Sequence, residues 1–201
     1  MDGALRPALS GALRLLLALA LLVLPGTPAG PALMEPLLPA MRNWLTWVEP
    51  AFAIRSLVID RSEGRSRLRL EVGLVHPVRV AGKLVMPHPR GRARAEVPLA
   101  QAWQAPLVMA LLLLAWPARG WQELAWRAAV AVPAGAALLA MDTPLVLLAE
   151  VWQLLRLAHG DQTFSPLVAW GELLRAGGRV GAGLLAAAAI VMLVRRLRER
   201  P

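Results

Sequence analysis

The amino-acid sequence predicts a membrane α-helical protein with about four transmembrane helices, interfacial helices and a small antiparallel β extracytoplasmic segment. Three observations carry this expectation. Of 201 residues, 57% are hydrophobic and 17% are charged, with a mean hydropathy of +0.53, whereas a soluble domain carries roughly 25% charged residues. The apolar residues come in blocks, as a bilayer core requires. Between two of these blocks, from about Pro31 to Ala100, lies one piece in which apolar and polar residues alternate.

The first block, Leu15 to Leu24, follows Arg6 and Arg14. Two readings fit it. A short apolar run ahead of Thr27-Pro28-Ala29 matches a signal peptide with a small-residue cleavage site. A helix from near Pro7 to Pro25, with Arg14 snorkelling, gives about 27 Å, close to a bilayer core. The retained helix is favoured because further membrane segments follow. Residues 1–29 form this first unit, and either reading puts the next segment outside the cytoplasm.

Residues 30–99 form the extracytoplasmic unit. Pro31 to Val48 is apolar but interrupted by Glu35, Pro36, Pro39 and Arg42, with Trp44 and Trp47 on one helical face,. Tryptophan favours the headgroup boundary, so this reads as an interfacial helix; the other reading is a loop or helix covering the β segment. Arg67 to Val72 alternates, placing Leu68, Leu70, Val72 and Leu74 on one face and Arg65, Arg67, Arg69 and Glu71 on the other,. Ala53 to Asp60 reads as its partner, joined by Ser62-Glu63-Gly64. Val78 to Met86 reads as a third strand and Arg92 to Val97 as a short fourth, in an antiparallel meander.

Residues 100–201 read as a three-helix transmembrane region with an outer interfacial segment, 145–176. The first span runs from about Ala100 to Trp116, and the second from Trp121 or Trp126 to Met141, with Ala149 as the alternative end. Pro133 and Gly135 kink or loosen it, and Asp142-Thr143-Pro144 marks a break. Glu150, Gln153 and Arg156 give the following stretch, Leu145 to Ala158, a thin polar stripe, which suits an interfacial helix or the last turns of the span. Ser165-Pro166 opens another helix, Ser as N-cap and Pro at the first position. The last span is Val180 to Leu197, where Gly181 and Gly183 allow close helix approach. With Arg6, Arg14, Arg119, Arg127 and the Arg195 to Arg200 cluster inside, both termini are cytoplasmic.

Chemistry is sparse. The chain has no Cys, which removes disulfides, thiolate metal sites and a Cys nucleophile. His76, His88 and His159 show no metal-ligand spacing, and no phosphate loop or serine motif is present, so no metal or cofactor is implied. The net charge is +9, but its basic residues lack aromatic interleaving, which argues against nucleic acid,. Asp142 and Glu150 are the polar candidates within the membrane region. Arg65, Arg67 and Arg69 form a candidate contact face for acidic groups of a partner or for lipid headgroups, as Gly181 and Gly183 do for a neighbouring helix.

This layout, with Pro98-Leu99 and Pro106-Leu107 eight residues apart at the entry to a Leu/Ala-rich helix, resembles the exosortase H-associated membrane proteins of bacteria. The resemblance implies an inner-membrane accessory protein, non-enzymatic, acting beside a polytopic exosortase-like enzyme in protein sorting. The chain is not that enzyme, whose nucleophile is a Cys. A small transporter or channel subunit using Asp142 and Glu150, and a membrane enzyme without a legible motif, are the alternatives.

Overall fold

The computed structural model describes residues 16–20, 22, 23, 27–62, 65–118, 120–161 and 163–198. The choice between cleaved and retained first helix falls largely outside them; 16–20, 22 and 23 are helical.

Helices α1 (Ala29–Met34) and α2 (Leu38–Val48) are joined by a 3-10 turn, Glu35–Leu37. Strands β1 (Phe52–Asp60) and β2 (Arg67–Leu74) follow, then β3 (Val78–Val80), β4 (Lys83–Val85) and β5 (Ala93–Pro98). A single helical turn, α3 (Leu99–Ala102), leads into α4 (Gln104–Ala115). The long helix α5 (Trp121–His159) is followed by α6 (Pro166–Leu173), a π turn at Leu174–Gly178, and α7 (Arg179–Arg198).

The alternation at Arg67 to Leu74 folds as read. Leu68, Leu70 and Val72 are buried against the helices, while Arg67, Arg69 and Glu71 stay half-exposed on the other face. The meander does not form. The three-stranded sheet has the order β1-β2-β5, antiparallel throughout, and β3 and β4 make a separate hairpin. The strand expected over Val78 to Met86 breaks because Ala81 and Gly82 both take positive φ, 52° and 74°, the geometry of a two-residue type I′ turn.

The expectation of about four membrane helices is not met. Among the described residues, two helices are long and apolar enough to cross a membrane: Trp121–His159, of 39 residues, and Pro166–Leu197, of 32. The segment expected as a span over Ala100 to Trp116 breaks at Trp103, and its apolar helix α4 has 12 residues, about 18 Å and short of the hydrocarbon core.

The expected break at Asp142-Thr143-Pro144 is absent, since α5 continues through Pro133 and Pro144. An interior proline costs about 3 kcal/mol. Here Thr143, Val146, Leu147, Leu148 and Val151 are all buried, and burying each Val or Leu side chain recovers about 1.5–3 kcal/mol. Tertiary burial therefore outweighs the local penalty. The interfacial segment expected over 145–176 is accordingly the distal half of α5, a turn, and α6. The helix opened by Ser165-Pro166 is α6 and the span expected from Val180 is α7; the two meet at the π turn, where Gly177 (φ 118°) makes a kink,. The Ser165 hydroxyl caps α6 by accepting from the Val168 N–H at 3.5 Å.

Two apolar clusters divide along the long helices. The proximal half of α5 (Val130 to Leu138) packs with α4 (Met109, Leu113) and α7 (Ala187, Ile190, Val191, Val194). Its distal half (Leu139, Val146, Leu147, Leu148, Val151) packs beneath the sheet, with Met34, Met41 and Leu45 closing the other side. The Pro31 to Val48 segment is thus a helix covering the β segment, the second of the two readings above, and its Trp47 remains exposed while stacked on Trp44. Phe52 meets Trp152 edge-on, and the Trp152 indole N–H donates to Glu49 at 3.1 Å, fixing α2 and β1 to α5.

Large apolar side chains left exposed around the proximal bundle include Trp121, Trp126, Val132, Leu185, Met192 and Leu193. Such a belt is costly in water and natural in lipid. Together with the two long apolar helices, it supports membrane association.

Candidate contact surfaces and interhelical ion pairs

The outer face of the sheet is a lattice of opposite charges. Arg69 reaches Glu96 through its Nε at 2.9 Å and also pairs with Asp60, while Arg67 reaches Glu96 at 3.3 Å. Arg94 donates to Glu71 at 2.8 Å. The β2–β5 register, with Arg69 opposite Glu96 and Glu71 opposite Arg94, creates these cross-strand pairs,. Two of the three arginines expected as a partner or lipid contact are therefore neutralised within the sheet, and Arg65 stands exposed in the loop just before β2. Arg67, Arg94, Glu96, Pro98 and Glu150 line an open cleft of ≈ 480 Å³ between β5 and α5.

The Arg69 hydrogen bond holds the Glu96 carboxyl below the ordinary glutamate range, and the Arg94 hydrogen bond does the same for Glu71. A carboxyl whose folded-state value is depressed stabilises the fold above its unfolded value, and that stabilisation is lost as pH falls through the folded one. The sheet should therefore be unaffected between neutrality and the ordinary glutamate range and should loosen below it. Amide exchange along β2 and β5 that accelerates only below that range would bear this out; acceleration starting near neutrality would contradict it.

Asp142 and Glu150 both face basic residues across the helical hairpin. Asp142 accepts from Arg179 Nε at 2.7 Å, and Glu150 from Arg175 at 2.9 Å. Arg179, 1% exposed, also donates through Nη1 to the Gln101 carbonyl at 3.0 Å. It thereby ties α3, α5 and α7 at the junction of the two apolar clusters. Asp142 Oδ1, Arg179 Nη2 and Thr143 Oγ1 are buried there without a protein partner.

A second buried pair lies at the opposite end of the bundle. Arg127 pairs with Glu123 one turn earlier, and its two terminal nitrogens donate to the Trp116 and Pro117 carbonyls, each at 3.0 Å. It closes the C-terminal end of α4, where carbonyls lack helical donors. The sequence signal was the Glu-to-Arg spacing of four residues, which places both on one face.

The two glycines separate. A Cβ at Gly183 would lie 2.5 Å from the Ala105 carbonyl oxygen, so this residue serves the α4–α7 contact inside the protein, while a Cβ at Gly181 would meet nothing within 4 Å. Between α4 and α5, an apolar groove of ≈ 540 Å³ includes Leu17, Trp103, Leu107 and Val132. His76 and His88 are exposed, and His159 Nδ1 lies 2.8 Å from the Leu155 carbonyl. Among the described residues, no group of three or more His, Asp or Glu side chains is placed to hold a metal ion.

The class defined by this architecture is a membrane-associated helical hairpin bearing a small β unit on its distal half. Comparison of the chain with protein-family models, with curated proteins and with solved structures finds no match.

Proposed function

We propose that this protein is a non-enzymatic membrane scaffold that presents its β unit on the extracytoplasmic side of a bacterial inner membrane. The observation that carries the reading is the run of α5, and of α6 and α7 across the kink at Gly177, from the apolar bundle into the sheet unit. Two long helices shared by both clusters fix the β unit relative to the membrane, as a docking element requires. The ion pairs fit this role as well, since those of Asp142 and Glu150 link one helix to the other. In this reading the chain is multi-pass, residues 30–99 are extracytoplasmic and both termini are cytoplasmic, which requires residues 100–120, with the short α4, to pass through the bundle packed against α7 and agrees with Arg195 and Arg196 at the far end of α7,. The likeness at Pro98-Leu99 and Pro106-Leu107 suggests the partner, an exosortase-like polytopic enzyme of a protein-sorting system.

Affinity purification of the tagged protein in gentle detergent, followed by mass spectrometry, tests the proposal. Recovery of an exosortase-like polytopic enzyme in near-equal amount is the expected result. A homo-oligomer free of any other protein would overturn it.

A further inference from the structure

We infer that the β3–β4 hairpin and the loop after it form the docking surface of the β unit, and that its occupant is an acidic, partly apolar segment of a partner protein. The inference rests on the scaffold reading above and names the place and chemistry of its contact.

Charge is the first ground. Between Glu71 and Glu96 there is no acidic residue, while Arg79, Lys83, Arg90, Arg92 and Arg94 lie in that stretch. Arg94 is taken up by Glu71, but Arg79, Lys83, Arg90 and Arg92 are exposed and enter none of the described ion pairs. Asp161, just beyond α5, is engaged by Arg156 and by the Thr163 backbone N–H. Arg67, Arg69 and Arg94 are neutralised within the sheet, whereas Arg55 of β1 enters none of the described ion pairs and donates to the Pro89 carbonyl of the same acid-free stretch, so it adds to the positive charge there.

Apolar exposure is the second ground. The register sets Arg79 opposite Leu84, so the two share one face of the hairpin, while Val80, on the other face, is buried,. Leu84 is 58% exposed and Met86, two residues on, is 62% exposed. A cationic face bearing exposed Leu and Met matches a partner that supplies both carboxylates and apolar side chains.

Position decides between a protein and a lipid surface. The hairpin packs on α5 through β3, and its turn residue Ala81 lies beside Asp161, just beyond that helix. Residues 141–159 of α5 carry the chain past the proximal bundle by about 28 Å,. Attraction between exposed charges is screened within about 8 Å at physiological salt. With the proximal bundle as the membrane-embedded part, as the scaffold reading has it, headgroups around it are out of range.

The test uses the full chain in phosphatidylcholine nanodiscs and a labelled peptide of glutamate and leucine, with a lysine and leucine peptide as the opposite-charge control. The expected result is saturable binding of the acidic peptide alone, weakened by salt. Combining Arg79→Gln, Lys83→Gln, Arg90→Gln and Arg92→Gln should weaken it by about tenfold or more, and Arg195→Gln with Arg196→Gln should leave it unchanged. Absence of saturable binding, equal binding of both peptides, or an unaffected hairpin variant would overturn the inference. So would hairpin-dependent capture of phosphatidylglycerol vesicles without peptide binding, which would make this a lipid surface. Peptide binding is read on the purified chain, so its failure is separable from failure to recover an exosortase-like enzyme.

Discussion

Arg179→Ala is expected to destabilise the protein by about 3–5 kcal/mol, because it strands a buried carboxylate instead of merely removing a contact. Asp142 is 12% exposed and Arg179 only 1%. With the guanidinium gone, Asp142 loses its one cation, and the Gln101 carbonyl loses its donor as well. Asp142 Oδ1 already has no protein partner, so without Arg179 neither oxygen of the carboxylate keeps one of the hydrogen bonds seen here. Pairing Arg179→Met with Asp142→Leu should recover most of the loss, since apolar side chains of similar volume replace a buried pair at little net cost. The Glu150–Arg175 pair is the internal contrast. Its side chains are 28% and 38% exposed, and Arg175→Ala should cost no more than about 1 kcal/mol. Reversible unfolding in detergent, arranged as a double-mutant cycle, measures all of these. A loss at Arg179 no larger than that at Arg175 would refute the assignment of this pair as the joint between bundle and β unit.

How much of this was legible in the sequence depended on the range of the interactions. The alternation at Arg67 to Leu74 and the Ser165-Pro166 cap are local signals, and both folded as read. Pro144 is also a local signal, and there the reading failed: the compensation comes from residues of β2, β5 and α2 that bury the distal half of α5. The Arg67 and Arg69 face failed for a related reason. Strand alternation identifies which side chains share a face, but only the β2–β5 register reveals that Glu96 lies opposite Arg69. Asp142 and Glu150 were identifiable as polar residues in an apolar region, whereas the choice between Arg175 and Arg179 for each depended on the π turn that sets the phase of α7. The hairpin charge was readable as a run without acids, yet it gained meaning only once Arg67, Arg69 and Arg94 were seen to be paired.

Gly183→Val should cost about 1–3 kcal/mol through overpacking, while the same change at Gly181, two residues away, should be nearly neutral. At Gly183 the added Cβ would lie 2.5 Å from the Ala105 carbonyl oxygen and 3.2 Å from the Met109 backbone nitrogen. Backbone atoms in a helix cannot rotate aside as a side chain can, so α4 and α7 must separate. Their separation would open the contacts of Ala187, Ile190 and Val194 with Met109 and Leu113 farther along the same interface,. At Gly181 there is nothing within 4 Å to displace, and replacing a helical glycine slightly favours the helix. Detergent unfolding curves of the two variants should therefore diverge, and equal stability would refute close α4–α7 packing at Gly183. Because Gly181→Val leaves the fold intact, it also probes the open side of α7. Loss of the partner from the purified complex in that variant alone would place a partner helix against Gly181, and full retention would restrict the contact to the β unit.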